Sequence, residues 1–278
     1  MENNCPVCTK VSVQVAKLAD GVLLKCPQCH WLFSTCTPKA FVKKDLDEDK
    51  RNEYLAITQK ATLLSGLSGG DKVLDICSGD GILLGWYLKS TVTVGVESDA
   101  KLMKEALNNK RVDVPIIQEF NSKIDEVKLV GKFKIITIID VLQNMDFPVV
   151  IADCVKLLHP EGVLVVQTPY FPQEMEAKKI TPSRNYLLAY TLHSVFQRIG
   201  LELQGTEFPK TGIRAYATFR TFKKFGIHDF DLKLRLYTQM SHALISELHA
   251  RFDLEETYKK IDDSERSEYR NAYTSPGT

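Results

Sequence analysis

The segment that most constrains the fold of this chain is residues 72–84. Its first part is apolar, as expected for a strand that is covered on both faces of a parallel sheet. Gly79 and Gly81 follow, and glycines let a backbone approach a ligand closely at the mouth of a helix. The segment therefore predicts a short buried strand, a glycine-rich turn and the start of a helix.

Two acidic residues accompany strand-like runs in this region. Asp75 lies near the carboxyl end of the first strand, and Glu97 ends a second predicted strand at residues 91–97. A carboxylate at Asp75 would repel a pyrophosphate, but it suits a ligand that carries an ammonium group. Glu97 is placed to accept hydrogen bonds from both ribose hydroxyls of an adenosine. The pair therefore favours an adenosine ligand with an ammonium group.

Residues 75–81 resemble the first motif, D-x-G-x-G-x-G, of class I S-adenosylmethionine-dependent methyltransferases. Residues 133–142 resemble the fourth strand of that family, and residues 157–169 resemble its LLKPGG turn and fifth strand. The resemblance implies an α/β fold with a Rossmann-like sheet whose last strands are antiparallel. It also implies S-adenosylmethionine as the cofactor and methyl transfer as the reaction.

A dinucleotide-binding Rossmann site is the alternative to this interpretation. It requires G-x-G-x-x-G, whereas the chain has Gly79-x-Gly81-x-x-x-Gly85, which is one residue too long. The Asp75 carboxylate would also repel the pyrophosphate of a dinucleotide. Cys77 departs from the methyltransferase motif, because it occupies the position of the first glycine. Its Cβ is expected to narrow the site or shift the backbone. We interpret its side chain as a small buried filler and not as a reactive thiol.

The resemblance implies a role for each matching residue. Asp75 is expected to face the methionine amine of the cofactor, and Glu97 to hold the ribose. Glu119 and Phe120, after a third predicted strand, are expected to meet the adenine. The complete set of implied cofactor residues is Asp75, Cys77, Gly79, Gly81, Glu97, Ser98, Glu119, Phe120 and Asp140.

The chain lacks the residues with which this family commonly accepts a proton. After the fourth strand the family typically has Glu-His, whereas this chain has Gln143 and Asn144, neither of which takes a proton near neutral pH. Asp140, Tyr170 and His193 are the candidates for a general base, in falling order. Activity is therefore expected to depend on positioning and on an acceptor that ionises readily, or on a base supplied from elsewhere.

Two C-x-x-C knuckles near the N-terminus are separated by seventeen residues, which is within the spacing of a four-cysteine zinc site. Their members are Cys5, Cys8, Cys26 and Cys29. Residues 11–24 between them predict a β-hairpin, and together these features are typical of a zinc ribbon. A vestigial ribbon or a redox pair is the alternative. His30 and Cys36 are spare ligands, which we interpret as packing residues because four cysteines already fill the shell.

The sequence divides into three predicted parts. Residues 1–38 form the zinc ribbon, residues 39–225 the methyltransferase domain, and residues 226–278 a C-terminal helical extension. A length of 278 residues gives room for one large α/β domain and a small module. Charged residues at 39–50 predict a linker, and a helix is predicted at 50–67.

Composition limits the partners that we expect. A net charge of +1 supplies no overall field to attract nucleic acid or an anionic membrane. The N-terminus lacks a signal-peptide pattern, and the longest apolar runs have the length of strands, too short to span a bilayer. We therefore expect a cytoplasmic protein whose seven cysteines serve a metal or are buried thiols. The sequence specifies no oligomeric state.

Three functions are compatible with these patterns. The first is methyl transfer to a small-molecule acceptor. The ribbon, with Trp31, Phe33 and Pro38 after its second knuckle, resembles a group of zinc-ribbon methyltransferases whose members often act on sugars or other small metabolites. The second is methylation of RNA, which the near-zero net charge and the few basic residues of the ribbon disfavour. The third is a catalytically weak, cofactor-binding scaffold, suggested by Cys77 and by the missing Glu-His pair.

Overall fold

The structure is a computed structural model. It describes residues 3–18, 21–36, 47–120, 132–170, 183–186, 189–209 and 212–219. The expected C-terminal helical extension at residues 226–278 lies outside the described residues, as does most of the linker expected at 39–50.

A seven-stranded sheet forms the centre of the molecule. Its strands are β4 (Lys72–Ile76), β5 (Val92–Glu97), β6 (Val114–Ile117), β7 (Phe133–Ile139), β8 (Leu158–Thr168), β10 (Leu201–Glu207) and β11 (Ile213–Phe219). Their order across the sheet is β10-β11-β8-β7-β4-β5-β6. The five strands from β8 to β6 are parallel, and β11 runs antiparallel to both of its neighbours, β8 and β10. This arrangement confirms the predicted α/β sheet with antiparallel last strands.

Four α-helices accompany the sheet within the described residues. They are α1 (Glu48–Ser65), α2 (Ala100–Asn108), α3 (Phe147–Leu157) and α4 (Ala189–Arg198). The first begins where the Asp47 carboxylate accepts a hydrogen bond from the Lys50 backbone N–H, and it ends at Gly66 in the left-handed conformation. Its buried residues Ile57 and Ala61 share a hydrophobic cluster with Val73 of β4. None of the helices in the described ranges has the length and apolar character that a bilayer crossing requires.

The prediction of a helix directly after the glycine turn is wrong. The structure forms a single 3₁₀ turn there, Leu84–Trp86, before the chain enters β5. Only residues 82–91 separate the glycine turn from β5, and Gly85, a poor helix former, lies among them. The connection is therefore too short for a helix of several turns.

A second sheet contains the N-terminal residues. The predicted hairpin is confirmed by β1 (Val13–Leu18) and β2 (Gly21–Lys25), which pair antiparallel, and β3 (Leu32–Ser34) adds to them. The fourth strand, β9 (Asn185–Tyr186), comes from the other end of the described chain. The cysteine-rich module therefore shares its sheet with a segment that lies between β8 and α4.

Candidate active site and metal centre

The glycine turn after β4 adopts the conformation that its sequence requires. Cys77, Gly79 and Gly81 all have positive φ angles, of 57°, 57° and 72°. A Cβ placed on Gly79 would meet no atom within 4 Å, whereas one on Gly81 would lie 2.9 Å from the Val112 side chain. Gly79 therefore borders open space, and Gly81 allows the turn to pack against the chain before β6.

Cys77 takes the left-handed conformation although it carries a Cβ. This conformation costs a non-glycine residue about 1–2 kcal/mol. Burial raises the pKa of its thiol to about 12, and the nearby carboxylates of Glu97, Asp75 and Glu119 add to the shift. The thiol therefore stays protonated near neutral pH, and the turn keeps the backbone shape of the glycine motif.

Asp75 lies at the carboxyl end of β4 and is only 4% exposed. Its carboxylate accepts a hydrogen bond of 2.6 Å from the Thr137 hydroxyl on neighbouring β7. Burial raises the pKa of Asp75 to about 7; the Thr137 hydrogen bond opposes this shift, and the charge of Glu97 adds to it. Among the described residues no salt bridge reaches this carboxylate. A cationic ligand would stabilise its charged form.

Glu97, at the carboxyl end of β5, is hydrogen-bonded to the glycine turn. One carboxylate oxygen accepts a hydrogen bond of 2.9 Å from the Gly79 N–H. The other accepts one of 2.9 Å from the Asp99 N–H and one of 3.4 Å from the Ser98 hydroxyl. Since each oxygen of a carboxylate has two lone pairs, Glu97 keeps capacity for a further donor.

The two residues expected at the adenine lie just beyond β6. Phe120 is 5% exposed and packs in the main hydrophobic core with Ile116. Glu119 is exposed, and its charge adds to the rise in the pKa of the Cys77 thiol. The charges of Glu97, Asp75 and Glu119 thus all raise the pKa of this thiol.

Asp140 follows β7 and is held in an ion pair. Its φ is 59°, and its carboxylate lies 2.6 Å from the Lys50 ammonium and within 3.3 Å of the Gln167 amide nitrogen. Lys50 also contacts Glu53 at 2.9 Å. The Asp140 side chain is therefore held in place by two partners, Lys50 and Gln167.

Arg214 of β11 extends this ion-paired set, and sequence reasoning missed it. Its guanidinium is 4% exposed and contacts Glu53 at 2.8 Å, Glu207 at 3.0 Å and the Gln167 amide oxygen at 2.7 Å. The sequence did contain an indication of this network, since Arg214 is a lone charged residue within an apolar strand. A buried cation requires partners. Lys50 and Glu53, one helical turn apart, are part of the same network.

The other two candidates for a general base are Tyr170 and His193. Tyr170 is 7% exposed, and its ring packs at 5.1 Å from the ring of Phe208. His193 lies on α4, which packs against β10, the strand at the edge of the sheet. Burial lowers the pKa of His193. Two strands, β11 and β8, separate β10 from β7 and therefore from Asp140.

The four cysteines of the knuckles form one compact cluster. All four sulfurs lie within 4.8 Å of one another, with Cys5 and Cys29 at 3.4 Å and Cys8 and Cys26 at 3.3 Å. A tetrahedral zinc site with Zn–S bonds of about 2.3 Å places its sulfurs about 3.8 Å apart, so the cluster has suitable dimensions. A disulfide would require about 2.05 Å.

The two knuckles have the same backbone geometry. The N–H of Val7 points to the Cys5 sulfur and the N–H of Cys29 to the Cys26 sulfur, both at 3.4 Å. Each knuckle ends in a left-handed residue, Thr9 or His30. Such N–H···S contacts stabilise thiolates, which are the form that binds metal. His30 and Cys36 do not join the cluster.

Comparison with known proteins decides the family. A protein family described as “Methyltransferase domain” matches residues 46–206, which is more than half of the chain. The chain belongs to this methyltransferase family. It is a class I S-adenosylmethionine-dependent methyltransferase, which confirms the resemblance carried by the glycine motif. No match was found among curated protein sequences.

Solved structures of methyltransferases share the fold. Magnesium protoporphyrin IX methyltransferase of Synechocystis PCC 6803, with bound SAH, has a TM-score of 0.51 at 14% identity, over 64% of this chain and 90% of that one. An S-adenosylmethionine-dependent methyltransferase of Clostridium acetobutylicum ATCC 824 has a TM-score of 0.51 at 12% identity, over 64% and 94%. The CcbJ methyltransferase of Streptomyces caelestis has a TM-score of 0.50 at 12% identity, over 66% and 100%.

The strained conformation of Cys77 leads to a test by substitution. In this methyltransferase Cys77→Gly should raise the free energy of unfolding by up to about 1 kcal/mol, since it relieves left-handed strain but gives the unfolded chain more freedom. Urea unfolding measures the change. Cys77→Ala is the control, because it keeps the Cβ and the strain. A Cys77→Gly protein less stable than Cys77→Ala would contradict this account of the turn.

Proposed function

We propose that this methyltransferase transfers the methyl group of S-adenosylmethionine to a small-molecule acceptor, such as a sugar or another metabolite. The observation that supports this most is the buried Asp75 carboxyl beside the open turn at Gly79. A carboxyl with a pKa of about 7 and no salt bridge among the described residues suits an amino-acid ammonium group. S-adenosylmethionine carries such a group together with an adenosine.

The cofactor contacts follow from the arrangement of the strand ends. We assign Asp75 to the methionine ammonium and the remaining lone pair of Glu97 to a ribose hydroxyl. Glu97 already fixes the Gly79 N–H, so the same carboxylate would shape the turn and bind the sugar. Glu119 lies near Cys77 on the side where the adenine is expected. The cofactor supplies an electrophilic methyl group, and these residues bind and orient it.

A small acceptor is favoured over RNA by the pairing of cations near the site. Lys50 contacts Asp140 and Glu53, and Arg214 contacts Glu53 and Glu207. Cations that are paired with carboxylates in this way offer little to a phosphate backbone. The net charge of +1 supplies no general attraction either.

Methyl transfer here would depend mainly on positioning. An in-line displacement requires the acceptor atom about 3 Å from the methyl carbon, and well-oriented reactants gain most of the rate from that placement. The Gln143 side-chain amide stabilises the loop, because its nitrogen donates a hydrogen bond of 2.8 Å to the Asp140 carbonyl. Asp140, which precedes this loop, is held in an ion pair with Lys50. An acceptor that loses its proton readily fits this arrangement.

We also propose that Cys5, Cys8, Cys26 and Cys29 hold one structural zinc ion. The support is the compact sulfur cluster and the N–H···S contact found in each of the two knuckles. Four sulfur ligands fill a tetrahedral shell, so this zinc would have no open position for substrate. Its role would be to stabilise the ribbon.

The high pKa of Asp75 predicts a pH dependence of cofactor binding. The ligand ammonium requires a charged carboxylate, so protein in which Asp75 is protonated must release a proton on binding. The affinity should therefore rise up to about tenfold per pH unit as the pH increases toward about 7. Calorimetry between about pH 5.5 and 7 tests this, below the α-amino titration at about 7.7–8.0.

Asp75→Asn is the matched variant for this titration. It should weaken S-adenosylmethionine binding by about 1.5–3 kcal/mol and remove the dependence on pH, because the amide carries no charge. A wild-type affinity that stays constant over this pH range would refute the assignment of Asp75 to the ammonium group.

The zinc proposal predicts one zinc per chain in protein purified without added metal. Cys5→Ser should lose most of the metal and should also lower the free energy of unfolding, because zinc binding stabilises small ribbons. Cys36→Ser is the control, since Cys36 is buried but lies outside the cluster. Elemental analysis measures the stoichiometry. Retention of zinc by Cys5→Ser with loss by Cys36→Ser would show that the ligand set is wrong.

A labelled-methyl transfer screen tests the proposed acceptor. The protein and methyl-labelled S-adenosylmethionine are incubated with cell extract, which is then split into nucleic acid, protein and small-molecule fractions. We expect the label in the small-molecule fraction, with Asp75→Asn as the low-activity control. Label in the RNA fraction would favour the second function. Cofactor binding without any labelled product would favour the scaffold.

A further inference from the structure

The cysteine-rich ribbon is attached to the methyltransferase through strand β9. Leu32 pairs with Tyr186 and Phe33 with Asn185 across the β3–β9 ladder. The Ser34 hydroxyl adds a hydrogen bond of 2.7 Å to the Ser183 carbonyl. This segment is therefore held to the ribbon by backbone and side-chain contacts together.

Asn185 connects the ribbon to the loop after β7. Its side-chain oxygen accepts a hydrogen bond of 3.2 Å from the Trp31 indole N–H. Its side-chain nitrogen donates to the carbonyls of Gln143, at 3.3 Å, and Met145, at 2.9 Å. An indole only donates and a carbonyl only accepts, so this orientation of the amide is the one that satisfies all three partners. Asn185 is 2% exposed, and a missing partner would leave a buried polar group unsatisfied.

On the ribbon side, Trp31 belongs to the second knuckle. Its carbonyl accepts a hydrogen bond of 2.9 Å from the Cys26 N–H. Its ring is 1% exposed and lies 4.7 Å from the ring of Phe147 at the start of α3. A change in the position of the Cys26 knuckle would therefore displace the indole that Asn185 contacts.

On the methyltransferase side, the bridged loop adjoins Asp140. The loop forms a 3₁₀ turn at Leu142–Asn144, and the Gln143 amide donates to the Asp140 carbonyl at 2.8 Å. The Thr168 hydroxyl, at the end of β8, contacts the Gln143 side-chain oxygen at 3.4 Å. Because β7 pairs with β4, this loop lies beside the strand that carries Asp75. It contains Gln143 and Asn144, which replace the usual base.

We propose that Asn185 is a positioning residue that couples the cysteine cluster to the loop after β7. With zinc bound, the ribbon holds Trp31, Asn185 holds the loop through two carbonyls, and the loop keeps Asp140 in place at the cofactor site. Zinc occupancy and cofactor affinity would then be linked. The inference rests on the proposed zinc and cofactor sites and adds a specific route between them.

Linkage gives the coupling a reciprocal measurement. If zinc strengthens cofactor binding, then the cofactor strengthens zinc binding by the same factor. The affinity of the full chain for zinc is measured by competition with a chelator, with and without saturating S-adenosylmethionine. We expect the cofactor to strengthen zinc binding about tenfold in the wild type, a typical coupling between sites.

Variants separate this route from general stabilisation by the ligand. Asn185→Ala should reduce the effect of the cofactor to less than about twofold, since the bridge is lost. Ser34→Ala removes a different hydrogen bond between ribbon and domain and should keep the full effect. Trp31→Phe removes the indole donor while keeping a ring beside Phe147, so it tests the bridge if Asn185→Ala does not fold.

Each outcome bears on a separate statement. A tenfold effect of the cofactor on zinc affinity that persists in Asn185→Ala, or in Trp31→Phe, overturns the proposed route, because it would then reflect global stability. An unchanged zinc affinity in the wild type also overturns it. Elemental analysis of the same samples shows whether zinc is bound, and calorimetry shows whether the cofactor binds. The absence of either ligand overturns the coupling and identifies which underlying proposal has failed.

Discussion

The parallel pairing of β4 with both β5 and β7 is the constraint on which the site depends. In parallel strands the carboxyl ends meet at one edge, so the side chains that follow them converge. Asp75 is paired in register with Gly95 on one side and with Thr137 on the other. That register gives the buried carboxyl its hydroxyl partner and leaves its other side toward the glycine turn.

Sequence reasoning predicted the sheet and the turn well because both depend on local signals. Apolar runs identify buried strands. Gly79 and Gly81 lie where the backbone is left-handed, a conformation that favours glycine. The prediction of a helix after the turn was wrong. Whether a helix forms there depends on the number of residues before β5, and the motif does not specify that number. The cysteine cluster was predictable because two knuckles have a fixed spacing and a shared geometry.

The parts that sequence could not supply are contacts between residues far apart in the chain. Lys50 meets Asp140, and Arg214 meets Glu53, only once α1 has packed against β7 and β8. A charge in a strand indicates that a partner exists but not which one. The same holds for β9, since a two-residue strand has no recognisable pattern.

The β3–β9 ladder also has a consequence for the order in which the molecule folds. Trp31 and Asn185 are 154 positions apart, so their contact raises the contact order of the N-terminal sheet. During synthesis the ribbon emerges first, yet its fourth strand becomes available only after the central β-strands up to β8 have been made. The N-terminal sheet therefore lacks its fourth strand, and the Trp31 indole N–H lacks its Asn185 partner, until the nascent chain supplies residue 185.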